Sequence, residues 1–138
     1  MSARFRMEVY DSRQLACVEE VWQFVGEDAS GCFGLMAHHQ RFMTVLESGL
    51  ARFRHGLDDA VADWEYLAFP GALLSFEDNV LRIIARRFWR HADFDQISRI
   101  LEEQMLRDQQ ASQQLRLSLA KIEENMMLRI WELKKHQA

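Results

Sequence analysis

The sequence predicts an all-β sandwich over residues 1–91 followed by a C-terminal α-helical hairpin over residues 92–138, an α+β chain whose two kinds of structure are segregated. Three observations lead there. Short apolar or alternating runs, separated by turn residues at close and even spacing, fill the chain as far as His91. At Asp93 the hydrophobic period changes from two to between three and four. A chain of 138 residues, 49% of them hydrophobic, can also bury roughly two thirds of its unfolded surface, enough for a core without staples.

Arg4, Arg6 and Glu8 alternate with Phe5, Met7 and Val9, the period of a half-buried strand. Asp11-Ser12 supplies turn chemistry, because both side chains can bond nearby backbone. Leu15–Val18 and Val21–Val25 read as two further strands, with Glu19-Glu20 between them and Gly26 as the stop. Glu27 to Gly34 is an acidic, glycine-bearing loop that leads through His38-His39 into a strand over Arg41–Leu46. Leu50–Arg54 and Asp63–Phe69 alternate again, joined by the polar turn His55-Gly56-Leu57-Asp58-Asp59. Pro70-Gly71 punctuates, and Ala72–Phe76, the turn Glu77-Asp78-Asn79 and Val80–Ala85 make another hairpin.

Asp93 and Gln96 form a capping-box pair at the start of the first helix, and Ile97, Ile100, Leu101 and Met105 follow at helical steps. Leu115, Leu119, Ile122, Met126, Ile130 and Leu133 form a second stripe. Gln109 to Gln114 dilutes the apolar face, so two helices are expected to join near Ser112 and fold back on each other. No glycine or proline enforces that stop, and a single rod from Asp93 to Lys135 is not forbidden.

The net charge of -4 removes the electrostatic reason to expect nucleic acid. Arg86-Arg87-Phe88-Trp89-Arg90-His91 alternates cations with aromatics as a base-stacking surface would, but on an acidic chain it reads as a solvated strand end with two buried aromatics. No apolar run reaches the roughly twenty residues of a membrane span. Met1 to Tyr10 lacks the apolar stretch of a secretory leader, so Cys17 and Cys32 are expected to stay reduced.

Catalytic chemistry is not expected. His38 and His39, adjacent on a strand, would point to opposite faces and could not easily share a metal ion. His55, His91 and His136 fall in turns or at the end, where exposure is the default. Cys32 has no flanking cation to lower its pKa, and Asp28, Asp58 and Asp59 are turn acids. The glycines match neither the Walker nor the dinucleotide spacing. The seven methionines are taken as core filler.

The stretch Gly31-Cys32-Phe33-Gly34-Leu35-Met36-Ala37-His38-His39-Gln40-Arg41-Phe42-Met43-Thr44-Val45-Leu46 resembles a loop of the epsilon subunit of F-type ATP synthases: glycine, acid, aromatic, glycine and aliphatic, then a histidine and a strand. Tyr66-Leu67 before Pro70-Gly71, the hairpin at Asn79, Asp93-Phe94-Asp95 and Leu128 to Lys135 follow in family order, so the likeness runs from Arg4 to Lys135. Glu27 to Gly31 is most similar to the epsilon-like subunits of alternative bacterial ATPases.

The resemblance implies a non-catalytic rotor subunit of the central stalk. It would bind the gamma subunit and the c-ring of the membrane sector, peripherally at the cytoplasmic face of the inner (plasma) membrane and without inserting into it. Asp28, Ser30, Gly31, Cys32 and Phe33 would touch the ring. Arg116, Lys121, Arg129, Lys134 and Lys135 would meet acidic segments of the alpha/beta head when the helices extend and restrain ATP hydrolysis, although Glu123, Glu124 and Glu132 interleave with them as on any salt-bridged surface.

Three positions depart from the family. Cys32 replaces its acid, which leaves Asp28 as the nearest carboxylate for the ring. Ala37-His38 replaces its proline and glycine, so the turn must be made differently. Ser98 replaces the arginine of its nucleotide motif, so no cofactor is expected. The competing readings are a β-sandwich adaptor with a coiled-coil tail, which would form homo-oligomers, and a small hydrolase using Cys32 and His39, which lacks a third supporting group.

Overall fold

The computed structural model describes residues 3–58 and 63–136; Asp59 and the side chain of His136 lie outside the described residues. Among the described residues nine strands precede one helix. The chain divides into two compact units, Met1–Glu102 and Glu103–Ala138.

Strand β1 (Phe5–Tyr10) buries Phe5, Met7 and Val9, as its alternation requires. After it, Asp11 Oδ1 accepts hydrogen bonds from the N–H groups of Arg13 and Gln14 and closes the expected turn. The next strand corrects the sequence reading. Leu15–Val18 and Val21–Val25 are parts of one strand, β2 (Leu15–Asp28), that bends without breaking. Glu20 takes a φ of 57°, and the register against the neighbouring strand slips between Val21 and Gln23. Such a bulge re-aims a strand without ending its pairing.

The bend makes the sandwich. The first half of β2 pairs with β1, and its second half with β3 (Gly31–Leu35) and β5 (Gly49–His55). One layer therefore holds the start of β2, then β1, β8 (Val80–Ala85), β7 (Ala72–Glu77) and β4 (Phe42–Leu46). The other holds β3, the end of β2, β5, β6 (Glu65–Phe69) and β9 (Trp89–His91). Phe24, Phe53, Phe69, Phe76 and Met7 fill the space between the layers, and Phe5 meets Phe76 edge-on at 5.5 Å. A Cβ on Gly26 would come to 3.0 Å from the Phe24 ring and 3.1 Å from that of Phe33, so any larger residue there would have to push these rings aside. The β7–β8 hairpin turns through Asp78 and Asn79, both with positive φ, the backbone of a two-residue type I′ turn.

The sandwich-then-helix order stands, but the hairpin does not form. Helix α1 runs unbroken from Phe94 to His136 through Ser112. Gln, Ala and Ser over 109–114 are compatible with helix, and no residue there opens a turn. From Gln109 to Lys135 every residue is exposed. Asp93 caps the start through its Oδ1, which accepts from Asp95 N–H. The capping box is altered: the Asp93 N–H donates to His91 Nδ1, the role expected of Gln96. Ile97 is fully buried, and Phe94 packs edge-on against Tyr66 at 5.4 Å.

The methionines also depart from expectation. Met7 is core, but Met36, Met43, Met105, Met126 and Met127 are exposed. A polarisable, flexible side chain at the surface suits contacts that repack on a partner.

Candidate functional site

The loop that carries the resemblance is the tip of the β2–β3 hairpin. Asp28 ends β2, Ala29 and Ser30 form the turn, and Gly31, with a φ of 121°, opens β3. Asp28 Oδ1 accepts from Ser30 N–H at 2.9 Å and from the Ser30 hydroxyl, and Oδ2 accepts from Thr44 Oγ1 at 2.7 Å. These bonds, that of the Ser30 hydroxyl first and Thr44 next, hold the Asp28 carboxyl below the usual carboxylate range. The Asp28 carboxylate is thus ionised and already engaged in shaping the turn, whereas the exposed Glu27 is the residue paired directly opposite Cys32 across the hairpin.

Of the five residues expected to meet the ring, Ser30 and Cys32 are exposed, while Asp28 and Gly31 are half-buried. Phe33 turns inward and packs on the core between Phe24 and Phe42. The hairpin tip therefore offers a short polar edge rather than an aromatic knob.

The following turn answers how Ala37-His38 replaces a proline and a glycine. His39 N–H donates to the Met36 carbonyl, and His38 takes a φ of 63°, the value glycine would supply. Asn79 holds it there. Its Oδ1 accepts from His38 N–H at 2.8 Å, while its Nδ2 donates to the Arg4 carbonyl at 2.8 Å. His38 lies in the turn and His39 just after it, so the strand argument that separated them does not apply; His39 stacks edge-on against Phe42 and Phe76. Among the described residues no three His, Cys, Asp or Glu side chains are grouped to hold a metal.

Two histidines expected to be exposed are half-buried and bonded. His55 Nε2 meets Glu65 Oε1 at 2.8 Å, and Arg90 Nε donates to Glu65 Oε2 at 2.7 Å, tying β5, β6 and β9 together. His91 accepts the capping N–H described above. Of the two aromatics in the Arg86–His91 cluster, Phe88 is buried and Trp89 half-buried beneath Arg87.

The fold assembles two surfaces that no stretch of sequence displays. On the outer face of the first layer, pairing sets Val45 beside Leu73, Leu73 beside Ile84, Ile84 beside Tyr10, and Tyr10 beside Leu15. Val45, Leu73, Ile84 and Leu15 are between 42% and 67% exposed. The row spans five strands, about 19 Å at the usual strand spacing. Beside it on β4 lies the exposed Met43, and the remaining neighbours include mutually neutralised pairs, Arg82 with Glu8, Arg6 with Glu8 and Glu19, and Arg41 with Glu77.

On the outer face of the second layer, Arg54 lies 4.9 Å from the Trp22 ring and 3.9 Å from that of Trp64, and Arg52 lies 4.4 Å from Trp64. Beside this ladder is a cleft of about 280 Å³ lined by Val25, Leu50, Arg52, Tyr66 and Phe94, with Glu27 and Cys32 also on its wall. On α1, Arg116, Lys121, Arg129, Lys134 and Lys135 are all exposed, and Lys135 lies 5.2 Å from the Trp131 ring.

Residues 4–91 match the family model described as ATP synthase, Delta/Epsilon chain, beta-sandwich domain. A curated relative, an ATP synthase epsilon chain from Synechocystis sp., is 29% identical over 66 residues, 48% of this chain and 45% of its own length. The chain thus spans less than half of that relative. Among solved structures, a chain in the Tetrahymena thermophila mitochondrial ATP synthase central stalk and c-ring shares the fold with a TM-score of 0.52 at 10% identity, covering 64% of this chain and 67% of its own. A chain in the Euglena gracilis mitochondrial ATP synthase assembly of OSCP, F1 and c-ring gives 0.57 at 16% identity, covering 75% and 64%. With its whole sandwich, from Arg4 to His91, inside the family model, the chain belongs to the ATP synthase delta/epsilon family.

Proposed function

We propose that the chain is a non-catalytic rotor subunit in the central stalk of an F-type ATP synthase, fixed to the gamma subunit and seated on the c-ring. In that role it couples ion flow through the membrane sector to ATP turnover in the head. The observation that carries this reading is the exposed row Val45–Leu73–Ile84–Tyr10–Leu15 on a sandwich of this family. A narrow row, widened by Met43 at the β4 end and flanked by ion pairs that leave no net charge, suits an apolar protein partner better than an anionic membrane surface. The gamma subunit is assigned to this row. The β2–β3 tip, through Asp28, Ser30, Gly31 and Cys32, is assigned to the polar loops of the ring, with Phe33 buttressing it from inside.

Residues 1–91 then serve attachment and residues 92–138 serve the head. The exposed cations Arg116, Lys121, Arg129, Lys134 and Lys135 lie on a helix long enough to reach an acidic partner segment, which supports restraint of ATP hydrolysis. The chain is placed at the cytoplasmic face of the membrane as a peripheral subunit; among the described residues no helix is long and apolar enough to cross it.

A tagged chain purified from native membranes is expected to bring down a gamma-like subunit and the ring. The double variant Leu73→Glu/Ile84→Glu is expected to lose the gamma-like subunit while unfolding at the wild-type urea concentration. Recovery of neither subunit by the wild-type chain refutes the reading. Unchanged ATP hydrolysis by a complex whose subunit ends at Glu102, which keeps Phe94 and Ile97, removes the regulatory part alone.

A further inference from the structure

We infer that the outer face of the second layer is a docking site for an extended acidic segment of a partner protein, with carboxylates over Arg54 and Arg52 and an apolar side chain in the adjoining cleft. The inference does not rest on the rotary reading and stands or falls separately.

The charge on this face runs against that of the whole chain. The chain carries a net charge of -4, yet no carboxylate among the described residues pairs with Arg52 or Arg54. Arg54 Nε and Trp22 Nε1 are buried, with no hydrogen-bond partner among the described residues. The guanidinium groups are therefore fixed by stacking on indoles, with no carboxylate among the described residues to neutralise them. Stacking fixes Arg at little further entropic loss, which is how a binding arginine is made ready.

Spacing selects the occupant. Arg52 and Arg54 are two apart on β5, so their side chains rise from the same face about 6.8 Å apart. An extended segment presents alternate side chains at that interval. Leu50, two further along β5, lines the cleft with Val25, Tyr66 and Phe94, an apolar socket at the next step. Glu27 and Cys32 stand on the same wall, and Glu27 repels a third carboxylate, which sets the order of alternate side chains along the face: an acid over Arg54, an acid over Arg52 and an apolar group in the cleft. The alternative of single-stranded nucleic acid would need free aromatic faces, but each indole already has two guanidinium groups over it, Arg4 and Arg54 at Trp22 and Arg52 and Arg54 at Trp64.

The probe is a fluorescein-labelled peptide Gly-Glu-Ser-Glu-Ser-Leu-Ser-Gly, read by fluorescence anisotropy against the full chain. Saturable binding is expected, weakened about tenfold by replacing both glutamates of the peptide with glutamine and by a similar factor in the Arg52→Glu chain. Arg52→Lys should retain part of the affinity, and replacing the peptide leucine with serine should weaken binding again. Arg52 is exposed, and unchanged near-ultraviolet circular dichroism checks that its variants keep the fold. Absence of binding overturns the proposal. So does binding indifferent to Arg52→Glu, or tighter binding of a thymidine oligonucleotide than of the peptide.

Discussion

The turn from Met36 to His39 depends on one side chain on a distant hairpin. His38 occupies a left-handed backbone position without being glycine, at a cost of roughly 1–2 kcal/mol. Asn79 offsets that with two hydrogen bonds that also fix the carbonyl of Arg4. Asn79→Ala should therefore destabilise the chain by about 2 kcal/mol in urea unfolding, more than a surface substitution at a turn usually does. Glu65 makes a second residue-scale case. Burial pushes its carboxyl up, and the hydrogen bonds from Arg90 and His55 outweigh burial, so its pKa lies below the usual glutamate value. Folding then favours the charged form. The stabilisation is complete above the unfolded value of about 4.3 and fades as pH falls through the lower folded value. Wild type should be about 1 kcal/mol more stable than Glu65→Gln at pH 7, and acid titration of the two should bring their stabilities together once the pH has fallen below the lowered folded value.

Two elements differ from their sequence reading, for opposite reasons. Strand β2 looks like two strands because Glu19-Glu20 interrupts the apolar run, yet the backbone absorbs the interruption as a bulge and the strand serves both layers. Helix α1 looks like two helices because glutamines dilute its stripe, yet dilution is not a stop signal and the hydrogen-bond ladder continues through it. The two ends of α1 carry different energetic weight. Ile97 is fully buried, and Ile97→Ala should lower stability by about 3 kcal/mol. Leu119 is 52% exposed, and Leu119→Ala should change it by less than about 0.5 kcal/mol in the same denaturation assay. A large loss at Leu119 would mean that the stripe is covered in the free chain.

For the whole molecule, the division into Met1–Glu102 and Glu103–Ala138 places every buried core side chain, Ile97 included, in the first unit. A chain ending at Glu102 should therefore fold cooperatively and melt within about 5 °C of the full chain, as calorimetry would show. A shift much beyond that would assign core packing to the second unit. The two assembled surfaces, apolar on the first layer and basic on the second, give one small sandwich two chemically distinct faces. Such a division of labour suits a subunit held between partners.

The stretch read as a loop from Glu27 to Gly34 is the end of β2, a turn and most of strand β3, whereas the order of strands before helix was present in the sequence, in the alternation of β1, the Asp11 turn, the Asp78-Asn79 hairpin, the cap at Asp93 and the stripe from Leu115 to Leu133. Each of these is a local fact, set by neighbours a few residues apart. The family loop could be read for the same reason, since its residues are contiguous. The apolar row and the arginine ladder could not. Tyr10 meets Ile84 only because β1 pairs in parallel with β8, and Arg54 meets Trp22 only because β2 bends at Glu20 to pair with β5. Register between strands far apart in the chain is fixed by which faces bury together, a property of the whole core. The sequence thus determined what each segment is, and the tertiary structure decided which side chains became neighbours, because cross-strand pairing is settled by non-local burial.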